Sequence, residues 1–195
     1  MAISLEKIQK LREQTLASIN EVKRALDEAE GDEEQAVLIL RKRGKIIADK
    51  KSSRETKAGI VASYSHANGR IGVLLELRCE TDFVAKNTEF QSLAHDLALH
   101  IAAMSPTYLK SEDIPADVVE SEKRVYEAQG DIANKPPQVQ QTIIDGKLKK
   151  YYSEQCLLEQ YFVKDDSKTV KELISEYITK VGENIEVGKF SRFEI

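Results

Sequence analysis

Tryptophan is absent from these 195 residues, cysteine occurs twice, histidine three times and proline four times. Each scarcity removes a class of chemistry. Cys79 and Cys156 are too few for the disulfide framework of a small secreted scaffold and form no Cys-x-x-Cys pair, so they read as two reduced, buried thiols. His66, His95 and His100 lack metal-ligand spacing. The five-residue step from His95 to His100 points the two side chains in different directions on a helix, and both read as residues at the edge of a packed face. No metal and no cofactor are expected. Apolar runs stay well short of the ~20 residues of a membrane span. The opening residues interleave charge with Leu and Ile instead of building a signal-peptide core, so a cytoplasmic chain that meets no membrane is the expectation. The phosphate-cradling patterns GxxxxGK[ST] and GxGxxG are missing, as are GxSxG and HExxH. Glu80 and Asp82, on either side of Thr81, read as turn carboxylates that cap or stay solvated, not as an acid–base pair. An enzyme finds little support.

What is present is an ordinary globular balance, 41% hydrophobic and 32% charged, on a chain long enough for one core, or for one core with a small satellite. Charge is unevenly spread. Residues 1–57 carry 13 Lys and Arg against 11 Asp and Glu, leaving 16 against 22 in the remainder. The excess sits in RKRGKIIADKKSSRETK, residues 41–57, with eight cations and two anions. Such a stripe suits phosphate. Yet no aromatic residue precedes Tyr64, so it has no platform on which bases could stack. A solvated helix end, favoured by the helix dipole, followed by a linker is the simpler reading.

Residues 4–43 pattern as three short helices. Leu5, Ile8 and Leu11 share one face; Ser18 and Glu21 form a capping box ahead of Val22, Ala25, Leu26 and Ala29; Gly31 stops that helix and Asp32 caps the next, with Ala36, Val37, Ile39 and Leu40 as its apolar positions. KKSSRET, residues 50–56, has no buried pattern. The expected organisation is therefore a bundle over 1–50, a linker over 51–57 and a core over 58–195. Period-two alternation starts in that core, turns at Asn68-Gly69, and returns through Ile71, Val73, Leu75, Leu77 and Cys79. A long helix with Phe90, Leu93, Leu97, Ile101 and Met104 ends before Pro106. Helices are expected over 116–129, 137–158 and 167–180. A third strand follows, with Ile185 and Val187 on one face and Phe190 on the other. The fold class is α+β: a three-helix bundle, then three antiparallel strands packed with helices.

Several separated stretches, LREQT (11–15), KRALDEAEGDEEQAV (23–37), RKRG (41–44), CETDFVAKN (79–87), CLLEQYFVKD (156–165) and GENIEVGKFSRF (182–193), resemble elongation factor Ts, the nucleotide-exchange factor of elongation factor Tu. The resemblance implies a bundle of the ubiquitin-associated type and a short-form core, in which two chains pair to complete the binding surface. It implies elongation factor Tu, GDP-bound and nucleotide-free, as the partner, with no direct nucleic acid. Thr81, Asp82, Phe83 and Val84 inherit the turn that enters the GTPase domain near its magnesium and phosphate site. Arg12, Ile19, Asn20 and Lys23 inherit the contact made by the bundle. Two departures stand out: Ile19 and Asn20 where the family usually has methionines, and Tyr161 where proline is common. The sequence leaves two other readings open. One is an RNA- or ribosome-associated protein that uses residues 41–57. The other is an adaptor that binds through residues 1–50 alone.

Overall fold

The structure, a computed structural model, describes residues 4–195. In chain order the elements are α1 (Leu5–Thr15), α2 (Ile19–Glu28), α3 (Glu33–Lys51), β1 (Ala58–Ser65), β2 (Ile71–Cys79), α4 (Asp82–Ala85) and α5 (Thr88–Met104). There follow α6 (Ala116–Glu127), α7 (Gly130–Ala133), α8 (Pro137–Gln155), β3 (Tyr161–Phe162), β4 (Asp165–Thr169), α9 (Val170–Val181) and β5 (Ile185–Glu194), with two short 3-10 turns between. Contacts gather them into two compact units: residues up to Leu99 together with Lys171–Ile195, and His100–Val170.

In the first unit the Ser4, Ser18 and Asp32 side chains cap α1, α2 and α3, and the reciprocal Ser18–Glu21 capping box is complete. Ile8, Leu11, Ala17, Val22, Ala25, Leu26, Ala36 and Leu40 bury one another as the core of the bundle. Helix α3 is longer than its sequence suggested, 19 residues. Its apolar face continues past Gly44 to the buried Ala48, and Lys50 and Lys51 favour its C-terminal dipole. Lys51, the first residue of the expected linker, is thus helical and donates to the Gly182 carbonyl.

The sheet runs β1-β2-β5, antiparallel throughout. Val73, Leu75, Leu77 and Cys79 line the buried face of β2 as their alternation requires. Strand β5 departs from strict alternation. Leu77 pairs with Val187 but Glu76 with Lys189, leaving Gly188 as a bulge. The extra residue turns Phe190 over to face the same way as Ile185 and Val187, opposite Leu75, which corrects its placement on the other face.

In the second unit α6, α7 and α8 share a small cluster of Ile132, Ile144 and Leu148, packed by Val119, Tyr126, Ile143 and Tyr152. The hairpin of β3 and β4 was not expected: residues 167–169 belong to a strand, and the helix begins only at Val170. DDSKT carries no alternation to announce it. Within β4 the Asp165 carboxylate accepts from Ser167 N–H (3.1 Å) and pairs with Lys168 (3.3 Å). His100 is also corrected, since it is fully buried and not at an edge. Its Nε2 donates to Gln160 Oε1 (3.0 Å) and its Nδ1 accepts from the Val163 amide (3.1 Å), an arrangement that only the neutral ring satisfies. Burial holds its pKa below the ordinary value of about 6.5, against a smaller upward pull from Gln160. The unfolded chain therefore binds this proton more readily than the native one. Stability should be full above about pH 6.5, where both states are neutral, and erode as pH falls below it until the buried ring itself protonates. Replacing His100 with Gln should flatten that part of the pH–stability curve, measured by urea denaturation between pH 7.5 and 5.

Candidate docking site

Strand β2 ends at Cys79, whose thiol donates to the Thr81 carbonyl (3.2 Å). Burial first, and the Glu183 carboxylate second, push this thiol's pKa up, and the same burial takes Cys156 to about 12, so both are poor nucleophiles. Thr81 then caps a single helical turn, α4, its Oγ1 accepting from the Val84 amide (3.4 Å). Asn87 separates this turn from α5 and holds the start of the longer helix through Glu89 N–H (2.8 Å). Helix α4 sits against β1 and β2.

So short a helix can bury one side only. Val84 and Ala85 take the buried side, each 5% exposed, and Thr81, Asp82 and Phe83 are left outside. Phe83 is 85% exposed, an unusual position for a phenyl ring beside two buried neighbours. The backbone cannot turn it inward without bringing Val84 out.

Residues 183 and 184 secure the turn from the far side of the sheet end. Glu183 accepts from the Thr81 amide (3.0 Å) and from its hydroxyl (2.6 Å). Glu80 accepts from the Asn184 amide (2.6 Å) and pairs with Arg54 (3.4 Å), while the Asn184 side-chain amide donates to the Arg54 carbonyl (2.9 Å).

A groove of about 1170 Å³ opens beside this turn. Leu5, Ile8 and Arg12 of α1 and Ile19 and Lys23 of α2 line it, as do Phe83 and Val84, with the Lys180–Glu89 ion pair (2.6 Å) on its wall. Five of the eight residues singled out from the sequence, Arg12, Ile19, Lys23, Phe83 and Val84, thus meet in one groove. Thr81 and Asp82 lie exposed next to Phe83, and Asn20 is exposed in the first turn of α2, off the groove wall. Sequence reasoning missed Leu5, Ile8, Lys180 and Glu183 as neighbours of the turn. Glu183 comes into view only once β5 is paired with β2: Cys79 pairs with Ile185, and that antiparallel register carried outward sets residue 81 against residue 183.

Among the described residues no group of three His, Cys, Asp or Glu is placed to hold a metal ion, and no helix is long and apolar enough to cross a membrane. An exposed phenyl ring beside an open, partly apolar groove with a charged rim has the build of a protein-docking surface. Comparison with known proteins names the kind. Residues 3–195 match the family described as elongation factor TS. The proteins called elongation factor Ts from Thermotoga petrophila and Thermotoga maritima are each 54% identical over 195 residues, spanning 100% of this chain and 97% of theirs. That of Thermodesulfovibrio yellowstonii is 50% identical over 195 residues, again 100% of this chain and 97% of its own. The chain belongs to the elongation factor Ts family, and its role is in translation elongation.

Proposed function

We propose that this protein binds elongation factor Tu, both GDP-bound and nucleotide-free, and promotes release of GDP so that GTP can reload. Phe83 enters the GTPase domain as a wedge that shifts the elements positioning Mg²⁺, and Asp82 adds a negative charge close to the ion and the phosphates. No covalent bond is made or broken, so the protein acts by binding and not as an enzyme. The observation that carries this reading is the 85% exposure of Phe83 on a turn whose next two residues are buried. Release of fluorescent GDP from elongation factor Tu tests it: the parent chain should accelerate release and the Asp82→Ala, Phe83→Ala double variant should give little. No acceleration by the parent with a cognate partner would sink the reading.

Coupling between sites is reciprocal: a thousandfold loosening of GDP needs ~4 kcal/mol of tighter binding to the empty GTPase. One buried Phe contributes roughly 1.5 to 3 kcal/mol. The remainder falls to a second contact, and Arg12, Ile19 and Lys23 in the same groove are proposed to make it. With the bundle as residues 1–50, the linker as 51–57 and the core as 58–195, deleting residues 1–50 should leave weak but measurable exchange. An adaptor working through its bundle would lose all binding.

The nucleic-acid alternative is disfavoured by how the basic stretch is used. Of its eight cations, Arg43 pairs with Glu28, Lys51 with the Gly182 carbonyl, Arg54 with Glu80 and Lys57 with Glu55. At least half of the proposed phosphate stripe is thus engaged within the protein. Pairing of two chains is supported by the outer face of the sheet, where Val61, Leu74 and Phe193 stand exposed. A dimer mass by light scattering at micromolar concentration checks it. The proposed place of action is the cytoplasm.

A further inference from the structure

We propose that Glu183 is a positioning residue for exchange: it latches the Thr81 turn in a preformed state, so that Phe83 meets the GTPase already held outward. This rests on the exchange reading above and adds to it how the turn stays ready. A four-residue helix does not persist on its own, because nucleation costs more than one turn returns. Something outside α4 must hold it. Its own cap, Thr81 Oγ1 to the Val84 amide, is long at 3.4 Å. Both donors of Thr81, the amide and the hydroxyl proton, go to the two oxygens of one carboxylate, at 3.0 and 2.6 Å. Donating its proton to Glu183 leaves the Thr81 oxygen free to accept from Val84, so latch and cap act together.

Glu183 is itself fixed. It follows Gly182, which sits in the left-handed region (φ +79°) and turns the chain from α9 toward β5, and it precedes Asn184, whose amide is tied to Glu80 at 2.6 Å. The carboxylate is therefore presented from a braced backbone, not from a freely swinging loop. Its bonds to Thr81 lie near solvent, where such contacts add little net stability. Their effect falls on how many conformations the turn explores. A turn that must be ordered at the moment of docking costs affinity, whereas one already ordered does not.

The test is a titration of GDP release from elongation factor Tu by the parent, Glu183→Ala and Glu183→Gln, combined with amide hydrogen exchange at Thr81 in the protein alone. Gln keeps an acceptor for the Thr81 amide and an –NH₂ that can donate to the hydroxyl oxygen, so it should preserve the latch without the charge. Glu183→Ala should raise the half-saturating concentration about tenfold with the saturating release rate and the melting temperature close to parent, and Thr81 should lose protection. Glu183→Gln should restore both. If Gln is as weak as Ala while Thr81 stays protected, the charge and not the latch is what matters, and the proposal fails. It also fails if Thr81 exchange is the same in all three proteins. Should the parent itself not release GDP, the exchange reading falls, and Thr81 protection on its own still decides whether Glu183 holds the turn.

Discussion

Phe83→Ala is expected to slow the release of GDP from elongation factor Tu roughly fiftyfold at subsaturating concentration, with no loss of melting temperature. The two halves of that expectation come from the same number. A side chain 85% exposed contributes almost nothing to the fold, and Ala is a better helix former than Phe within α4. The same exposure means nearly the whole ring is available for burial in a partner, worth about 2.3 kcal/mol, which is fiftyfold. How the loss divides is informative. A ring that only helped docking would raise the half-saturating concentration and leave the saturating rate alone. A ring that wedges the nucleotide site acts in the transition state for release, so the saturating rate itself should fall. Glu183→Ala should show the opposite division, which separates the residue that acts from the residue that positions it. A Phe83→Ala protein with parental release at every concentration would remove this turn from the mechanism.

The hairpin of β1 and β2 was legible because every device there agrees: alternation on both strands, Asn68-Gly69 between them, and an inward row from Val73 to Cys79. The bundle was legible through its caps. What stayed hidden depends on pairing between distant segments. The β3–β4 hairpin is written in DDSKT, a polar run with no periodicity, and exists because Phe162 and Lys168 are buried. The bulge at Gly188 is a property of two strands together, so counting along β5 alone misplaced Phe190. His100 has the same helical spacing whether it is at an edge or in a core, and it is Gln160 and the Val163 amide, about sixty residues on, that make its burial tolerable. At the candidate site, residue type alone does not decide whether Phe83 is buried or exposed. Val84 and Ala85 decide it by occupying the inner side of a turn too short to bury a third residue. The groove joining Ile19 to Phe83 arises from packing that neither segment encodes alone.

Gly59→Ala should cost about 3 kcal/mol or more, with a fall of about 10 °C in melting temperature for a chain of this size. Gly59 lies on the edge strand β1 opposite Arg78, with φ at +153°, a region that side-chain-bearing residues rarely adopt. A Cβ there would stand 2.3 Å from the Leu77 carbonyl oxygen and 2.8 Å from the Arg78 Cα. Both are backbone atoms of the central strand, so no rotamer change relieves the clash. Either β1 retreats and gives up ladder bonds to β2, or β2 shifts and takes Cys79 and the start of the docking turn with it. Loss of exchange should accompany loss of stability, unlike the effect at Phe83. Gly72 supplies the control on the same hairpin. A Cβ there would meet nothing within 4 Å and φ is ordinary, so Gly72→Ala should be neutral or stabilise by a few tenths of a kcal/mol through the unfolded chain. Thermal denaturation of the two variants side by side separates a general dislike of alanine in this hairpin from the close approach at one point. Equal melting of both would mean that β1 does not pass over Leu77 at this distance.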